Sequence, residues 1–367
     1  MRRRFAVLFL SILTVISAYF YFRVLAPLRE TPVLFGALAT LLGLSIASFA
    51  WLPLVFWRME TAEPPPSARA LERFAHLAMG FLSFLLFVTF VRDLVEIPLF
   101  FFGRANLVSG WTASLALVGA AALLSLVGFA LAWSGPVVRR VVLGAGPNPI
   151  RLVQISDLHI GTWIRRRYVE RVARQIEALG AIDLFVLTGD IGDGDPNRHA
   201  ADLEPLGRIA ARLGKFAVSG NHEGYWDEAG WNARVRALGF RLLENETIAL
   251  PTPQGPFTIH GLSDSRPDPK RTLAGVRPDA YSIFLAHQPK IAEAAIAAGV
   301  DLQLSGHTHQ GQFLPWNLFI GLAHRFAAGL YRVGKTAIYV NTGTGFWGPP
   351  FRLGTRSETT LIEISRR

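Results

Sequence analysis

Ser305-Gly306-His307-Thr308-His309 closes a short apolar run, Asp301-Leu302-Gln303-Leu304, that reads as a buried strand. Two histidines one residue apart, just past a strand end, can aim both imidazoles at one point. Neutral imidazole is the commonest protein metal ligand, and in open α/β sheets sites gather beyond the carboxyl ends of strands. A His-x-His alone fits a polar turn equally well, so the weight falls on what precedes it.

Four upstream segments share the design. Arg151 to Ser156 leads into Asp157-Leu158-His159. Asp183 to Thr188 leads into Gly189-Asp190, with Asp193 three residues on. Lys215 to Ser219 leads into Gly220-Asn221-His222-Glu223. Tyr281 to Ala286 leads into His287-Gln288-Pro289. Each is a strand-like run closed by a carboxylate, amide or imidazole. Glycine precedes Asp190, Asn221 and His307, where a sharp backbone turn is expected. Five of the nine histidines fall in these motifs; His76, His199, His260 and His324 lack such context and read as ordinary core or surface residues.

The set D-x-H, G-D-x-x-D, G-N-H-E, a lone His and G-H-x-H resembles the calcineurin-like metallophosphoesterase superfamily over residues 150 to 365. Gly329-Leu330-Tyr331, the run Tyr339 to Gly345 and Pro350-Phe351-Arg352-Leu353-Gly354 are similar to its bacterial, membrane-anchored branch, in which some members act on lipid-linked phosphates. The resemblance implies an α/β metallophosphoesterase domain, two mixed sheets flanked by helices in a four-layer α/β/β/α sandwich. It implies that Asp157, His159 and His309 bind one metal, that Asn221, His287 and His307 bind another, and that Asp190 bridges both. It further implies that metal-bridged hydroxide attacks phosphorus in line while His222 protonates the leaving oxygen. Two cations suit this chemistry because they neutralise the anionic phosphate, lower the pKa of water and stabilise the leaving oxygen. A nitrogen and oxygen donor set without sulfur suits Mn, Fe, Zn or Co without choosing among them. Asp193 is either an orienting partner for a ligand or a solvated turn residue.

The first 138 residues are of another kind. Uncharged runs cover Phe5 to Phe22 and the stretches between Glu30 and Arg58, Arg73 and Arg92, and Arg104 and Arg139. A span needs roughly 20 mainly apolar residues, so transmembrane helices are expected at 5–22, 33–57, 74–91 and 111–133. The first could instead be a removable signal segment, since its arginines resemble a twin-arginine signal, though no small-residue cleavage site follows. Ile97 to Gly103 is too short to span but could be re-entrant or join a fifth span. Glu63-Pro64-Pro65-Pro66-Ser67 reads as a stiff loop. No charged intramembrane cluster is evident, so the region reads as an anchor. Arginines in short loops favour an inside N-terminus and a cytoplasmic catalytic domain on a bacterial inner membrane. Gly144 to Pro149 breaks any helix, which places a linker at 139–149 and the catalytic domain at 150–367.

The net charge is +10, and Lys215, Lys270, Lys290 and Lys335 are the only lysines among 37 basic residues. Such a balance suits phosphate or lipid headgroups, or reflects a bias toward arginine codons. With no cysteine, disulfides and thiolate metal sites are excluded. Arg165 and Arg166, in the run Arg165-Arg166-Arg167, could grip substrate phosphate, as could Arg352, or the run is a solvated helix start. Amphipathic helices are expected at Tyr168 to Leu179, Leu203 to Leu213 and Ile291 to Ala298. Gly345 to Pro350 and Trp316 to Ile320 read as apolar loops, suited to a lipid-binding groove, to shallow insertion or to plain packing.

The resulting expectation is a membrane-anchored dimetal phosphoesterase hydrolysing a phosphodiester or pyrophosphate bond. Its partners would be a bilayer and a lipid-linked phosphate, such as a phospholipid or a UDP-diacylglucosamine-type substrate. No nucleic acid and no obligate protein partner are expected. The rival readings are a tethered phosphodiesterase or nuclease for soluble nucleotides, which lacks an aromatic-basic strand-binding pattern, and a non-enzymatic membrane scaffold.

Overall fold

The structure, a computed structural model, describes residues 2–56 and 66–366. It divides into two compact units. One holds the helices up to Ala130 with the loop Gly348–Leu353; the other runs from Leu131 to Trp347 and resumes at Gly354.

The first unit contains α1 (Arg2–Phe20), α2 (Pro32–Phe56), α3 (Pro66–Phe101) and most of α4 (Gly110–Trp133). Long apolar runs favour helices in lipid because a helix satisfies its own backbone groups. Among the described residues four segments, Val7–Leu28, Pro32–Trp51, Pro66–Phe101 and Gly110–Trp133, are long and apolar enough to cross a membrane. Ile97 to Phe101, weighed above as re-entrant or part of a fifth span, simply continues α3. This helix has 36 residues, about 54 Å at 1.5 Å per residue, against a hydrocarbon layer of roughly 30 Å. Of the stiff loop, residues 63–65 and the span residue Trp57 lie outside the described residues, and Pro66 and Ser67 open α3.

The expectation of no charged cluster in this half needs correction. Arg23 Nη2 lies 2.7 Å from Asp93 Oδ1 and also pairs with Glu96. Arg92 Nε donates to Asp93 Oδ1 at 2.8 Å, and Tyr19 donates its hydroxyl to Asp93 Oδ2 at 2.6 Å. The groups balance in charge, which makes their partial burial tolerable. Sequence reading missed them because the partners are 70 residues apart and each looks like a lone loop charge. Asp93→Ala would remove the carboxylate that Arg23, Arg92 and Tyr19 share, leaving Arg23 with Glu96 and Arg92 with the backbone oxygens of Val108 and Arg23. A thermal melt of purified protein should show a loss of about 2 kcal/mol, less than for a fully buried pair because these side chains are partly exposed. In the same unit, Phe351 packs edge-on against Phe84 at 5.7 Å and Phe129 at 6.5 Å. A Cβ at Gly80 would stand 1.9 Å from its ring.

The second unit begins with β1 (Val137–Leu143), β2 (Ile150–Ile155), α5 (Arg166–Glu177), β3 (Leu184–Thr188), α6 (Pro196–Gly207), β4 (Gly214–Val218), α7 (Asn221–Tyr225), α8 (Glu228–Ala237) and β5 (Arg241–Leu242). It continues with β6 (Glu246–Thr252), β7 (Gly255–Gly261), α9 (Pro269–Leu273), β8 (Tyr281–Leu285), α10 (Ala292–Ala298), β9 (Leu302–Ser305), α11 (Trp316–Ala323), β10 (Gly329–Val333), β11 (Thr336–Val340) and β12 (Glu358–Ile364).

One sheet has the order β1-β12-β2-β3-β4-β5 and the other β10-β11-β9-β8-β7-β6. Leu152, Leu184, Val186, Phe216 and Val218 of the first face Phe257, Ile259, Ile283, Leu285, Leu302 and Leu304 of the second in one buried cluster. The outer face of the first sheet is covered by Val169, Val172 and Ile176 of α5, Leu203 and Leu206 of α6, and Trp231 and Val235 of α8. Leu273 of α9 and Ala295 of α10 cover the outer face of the second. This is the expected layering of helix, sheet, sheet and helix.

Two local expectations shift. The first part of the stretch expected as linker, up to Leu143, is strand, because the β-branched run Val137-Val138-Arg139-Arg140-Val141-Val142 pairs in parallel with β12 over its whole length. The helix expected at 203–213 ends at Gly207. It starts earlier because Asp195 accepts from Asn197 N at 2.9 Å with Pro196 next, an N-cap followed by the favoured proline position.

Candidate metal centre

β2, β3 and β4 run parallel, as do β7, β8 and β9. The carboxyl ends of both sets meet at one place. Asp157 N donates to Gly189 O at 2.9 Å and Gly306 N to His287 O at 3.0 Å. Gln154 Nε2, from β2, donates to Ser305 O at 3.0 Å and ties the sheets together.

The backbone there is strained. Among the described residues nine non-glycine positions have positive φ, and seven of them are Asp157, His159, Asp190, His307, His309, Gln310 and Gln312. Left-handed backbone is uncommon for such residues and persists where the surroundings enforce it. Two of the three glycines, Gly220 and Gly306, serve a different need from the one expected. Only Gly189 has positive φ. At Gly220 a Cβ would stand 2.2 Å from Asp190 Oδ1, and at Gly306 it would stand 2.1 Å from Asp157 Oδ2. Close approach to a carboxylate, more than turning, demands glycine. Gly306→Ala is therefore expected to cut metal content at least tenfold, measured by mass spectrometry of the purified protein, while circular dichroism stays that of the parent.

Two groups of donors converge. Asp157, His159 and His309 form one, with His159 Nε2 at 3.1 Å from His309 Nε2 and His309 Nε2 at 3.3 Å from Asp157 Oδ1. In the other, His287 Nε2 lies 3.0 Å from Asp190 Oδ2, 3.1 Å from Asn221 Oδ1 and 3.2 Å from His307 Nδ1. Asp190 Oδ2 is also 3.9 Å from His159 Nε2, so this carboxylate stands between the groups. Nitrogen and oxygen lone pairs facing one another at such distances suit cations of the Mn, Fe, Zn or Co type. The residues could hold metal ions.

Tautomers are set from behind. His287 Nδ1 donates to Thr188 O at 2.7 Å, which leaves Nε2 for a ligand. Asp193 accepts from both His159 Nδ1 at 3.2 Å and His222 Nδ1 at 2.6 Å. Of its two readings, the orienting partner is the one the geometry displays. Burial works against charge on His222, but Asp193 and Asp190 outweigh it and hold the imidazole up at about 9. Burial likewise opposes charge on His287, yet Asp190 and Asp157 push it up to about 10. His307 is pushed down to about 3 by burial and by neighbouring His287. Asp190 lies well below the usual carboxylate range, because the facing imidazoles outweigh its burial.

Glu223 closes the string Gly220-Asn221-His222-Glu223. Its fully buried carboxylate accepts from Gly220 N at 2.6 Å, Ile191 N at 2.6 Å and Asp190 N at 3.0 Å. It thus pins the loops that carry Asp190 and Asn221 to one another. Its place three residues after Gly220, at the start of α7, is the position from which Glu reaches back to a helix N-cap, a signal that could have found it. His324, read as ordinary, stacks edge-on with His307 at 5.8 Å, and no sequence signal marks it.

The arginines fall elsewhere. Arg165 Nε pairs with Asp202 Oδ2 at 2.8 Å, and Arg166 Nη1 with Glu204 Oε2 at 2.5 Å. Neither belongs to the donor groups. Arg352 is fully buried, and its N–H donates to Gly128 O at 3.0 Å. Of the apolar stretches, Trp347 remains in a loop with its ring 5.6 Å from that of His222. Trp316 to Ala323 is a helix, not a loop.

Residues 150–311 match the family model described as calcineurin-like phosphoesterase. A transmembrane protein with metallophosphoesterase domain from Bos taurus is 34% identical over 269 residues, 65% of this chain and 59% of that protein. Its namesake in Danio rerio is 34% identical over 236 residues, 60% of this chain and 54% of that one. The chain thus spans between half and two thirds of these relatives' length. An uncharacterized metallophosphoesterase of Campylobacter jejuni is 30% identical over 300 residues, 76% of this chain and 78% of the relative.

Proposed function

The chain belongs to the calcineurin-like metallophosphoesterase family, and from that premise we propose that it hydrolyses a phosphodiester or pyrophosphate bond in a lipid-linked substrate at the membrane. The observation that carries the catalytic part is the position of Asp190 between two groups of buried nitrogen and oxygen donors. Asp157, His159 and His309 would hold one divalent ion, Asn221, His287 and His307 another, and Asp190 both. Ions so held would neutralise the phosphate and lower the pKa of a water.

The remaining chemistry belongs to the chain. His222, with Nδ1 engaged by Asp193, keeps Nε2 for proton donation to the leaving oxygen, the general-acid role. Asp193 acts through His222 and His159 by fixing their rings. Glu223 holds the Asp190 and Asn221 loops in register. Arg165 and Arg166 are candidates for substrate phosphate, which would displace Asp202 and Glu204.

Four apolar spans support a substrate that lives in the bilayer. With the arginine distribution, their even number among the described residues supports a catalytic domain on the same side as the N-terminus, inside the cell. The test uses full-length protein in nanodiscs with Mn. Lipid-linked diphosphates and phosphodiesters are compared with soluble nucleotides for product release. Turnover confined to soluble nucleotides would overturn the lipid reading and leave the hydrolase reading standing.

A further inference from the structure

We propose that α11 lies in the headgroup layer of the bilayer, so that the mouth of the metal centre opens at the membrane surface. This rests on the membrane-anchored reading and not on the identity of the substrate.

Helix α11, Trp316-Asn317-Leu318-Phe319-Ile320-Gly321-Leu322-Ala323, has no buried residue. Trp316 is 45% exposed, Leu318 60%, Phe319 53% and Leu322 86%. Its single polar side chain, Asn317, is turned back onto the domain and donates to Gly354 O at 3.2 Å. Two helical turns of large apolar side chains in water are unfavourable, and a cluster of this kind marks an interaction surface. A helix with Trp, Phe and Leu exposed and basic residues at its end is suited to lying in a membrane interface. His324 and Arg325 follow directly, and Arg325 pairs with exposed Glu293.

The occupant follows from the chain's own connectivity. Only Ser134 to Pro136 separate α4 from β1, a reach of about 10 Å when fully extended. A bilayer is therefore the apolar phase the domain always has beside it. The helix is also tied to the site. Between His309 and α11, the Gln312 side chain accepts from Trp347 N and donates to Trp347 O, both at 2.8 Å. This clamp holds Trp347, 44% exposed, against His222. An apolar rim thus runs from the proposed general acid toward α11.

The chain has no cysteine, so a single probe can be placed cleanly. Leu322→Cys carries an NBD fluorophore in full-length protein reconstituted into phosphatidylethanolamine/phosphatidylglycerol vesicles. Arg277→Cys, at the end of β8 opposite His287 and 67% exposed, is the control. The expected result is blue-shifted emission at 322, at least twofold quenching by lipid with a nitroxide near the headgroup and no quenching by aqueous iodide, with the reverse at 277. Circular dichroism of each labelled protein should equal that of the parent. Iodide quenching at 322 would mean a solvated helix. Protection from both quenchers would mean a protein surface covers it, either the spans or a second copy. Each overturns the proposal. Because the probe reads depth and not turnover, failure of the lipid-substrate reading would be seen separately.

Discussion

Asp190→Asn, loaded with Mn, should turn over bis(p-nitrophenyl) phosphate about a thousandfold more slowly than the parent, on the order of 4 kcal/mol of transition-state stabilisation. The substitution keeps the volume of a side chain that is almost wholly buried. It keeps an oxygen for the His222 N–H, which donates to Asp190 Oδ1 at 2.8 Å. What it removes is the negative charge 3.0 Å from His287 Nε2 and 3.9 Å from His159 Nε2. Sharing one carboxylate between two cations depends on that charge, so metal content should fall toward one ion per chain. Undiminished turnover with two bound ions would mean that Asp190 does not bridge.

His222→Ala should reveal its role through the leaving group. A positioned general acid contributes about 10²–10⁴-fold, and more when the departing oxygen is basic. The loss should be about tenfold on a p-nitrophenyl ester and about a thousandfold on an alkyl ester of the same phosphate. An equal loss on both would point to substrate contact alone. His222→Asn, which retains a polar group, should follow the alanine variant, since an amide is no acid at neutral pH.

Much of the centre was legible because it is built from local strings. A strand that ends in Asp157-Leu158-His159 or His307-Thr308-His309 carries its donors into position by its own geometry, and five such strings suffice to identify the place. The four long apolar helices among the described residues were legible for the same reason, as runs of one character. What stayed hidden depends on contacts between distant segments. Nothing local distinguishes Gly220 or Gly306 from a turn glycine, since their reason is a carboxylate on another loop. Arg23 and Asp93 read as unrelated charges until α1 and α3 are side by side. Glu223 is one letter in a motif until four backbone N–H groups, from Asp190, Ile191, Gly192 and Gly220, are seen converging on it. The Leu203 to Leu213 helix shows the limit of periodicity: Leu203 and Leu206 are buried as expected, but the cap at Asp195 sets where the helix begins.

Strand β1 bears on how the second unit can be produced apart from the apolar helices. Cutting at residue 150, where sequence punctuation invites the cut, removes the outermost strand of a sheet. The flank of β12 would then present unpaired N–H and C=O groups along seven residues, Glu358 to Ile364. A bare flank of this sort invites pairing with another chain. Such a protein should precipitate or self-associate on overexpression, even with every candidate metal ligand present. A start ahead of Trp133, whose ring packs on Tyr168 and Phe346 at 6.4 and 5.7 Å, keeps the sheet closed and should yield monodisperse material on gel filtration.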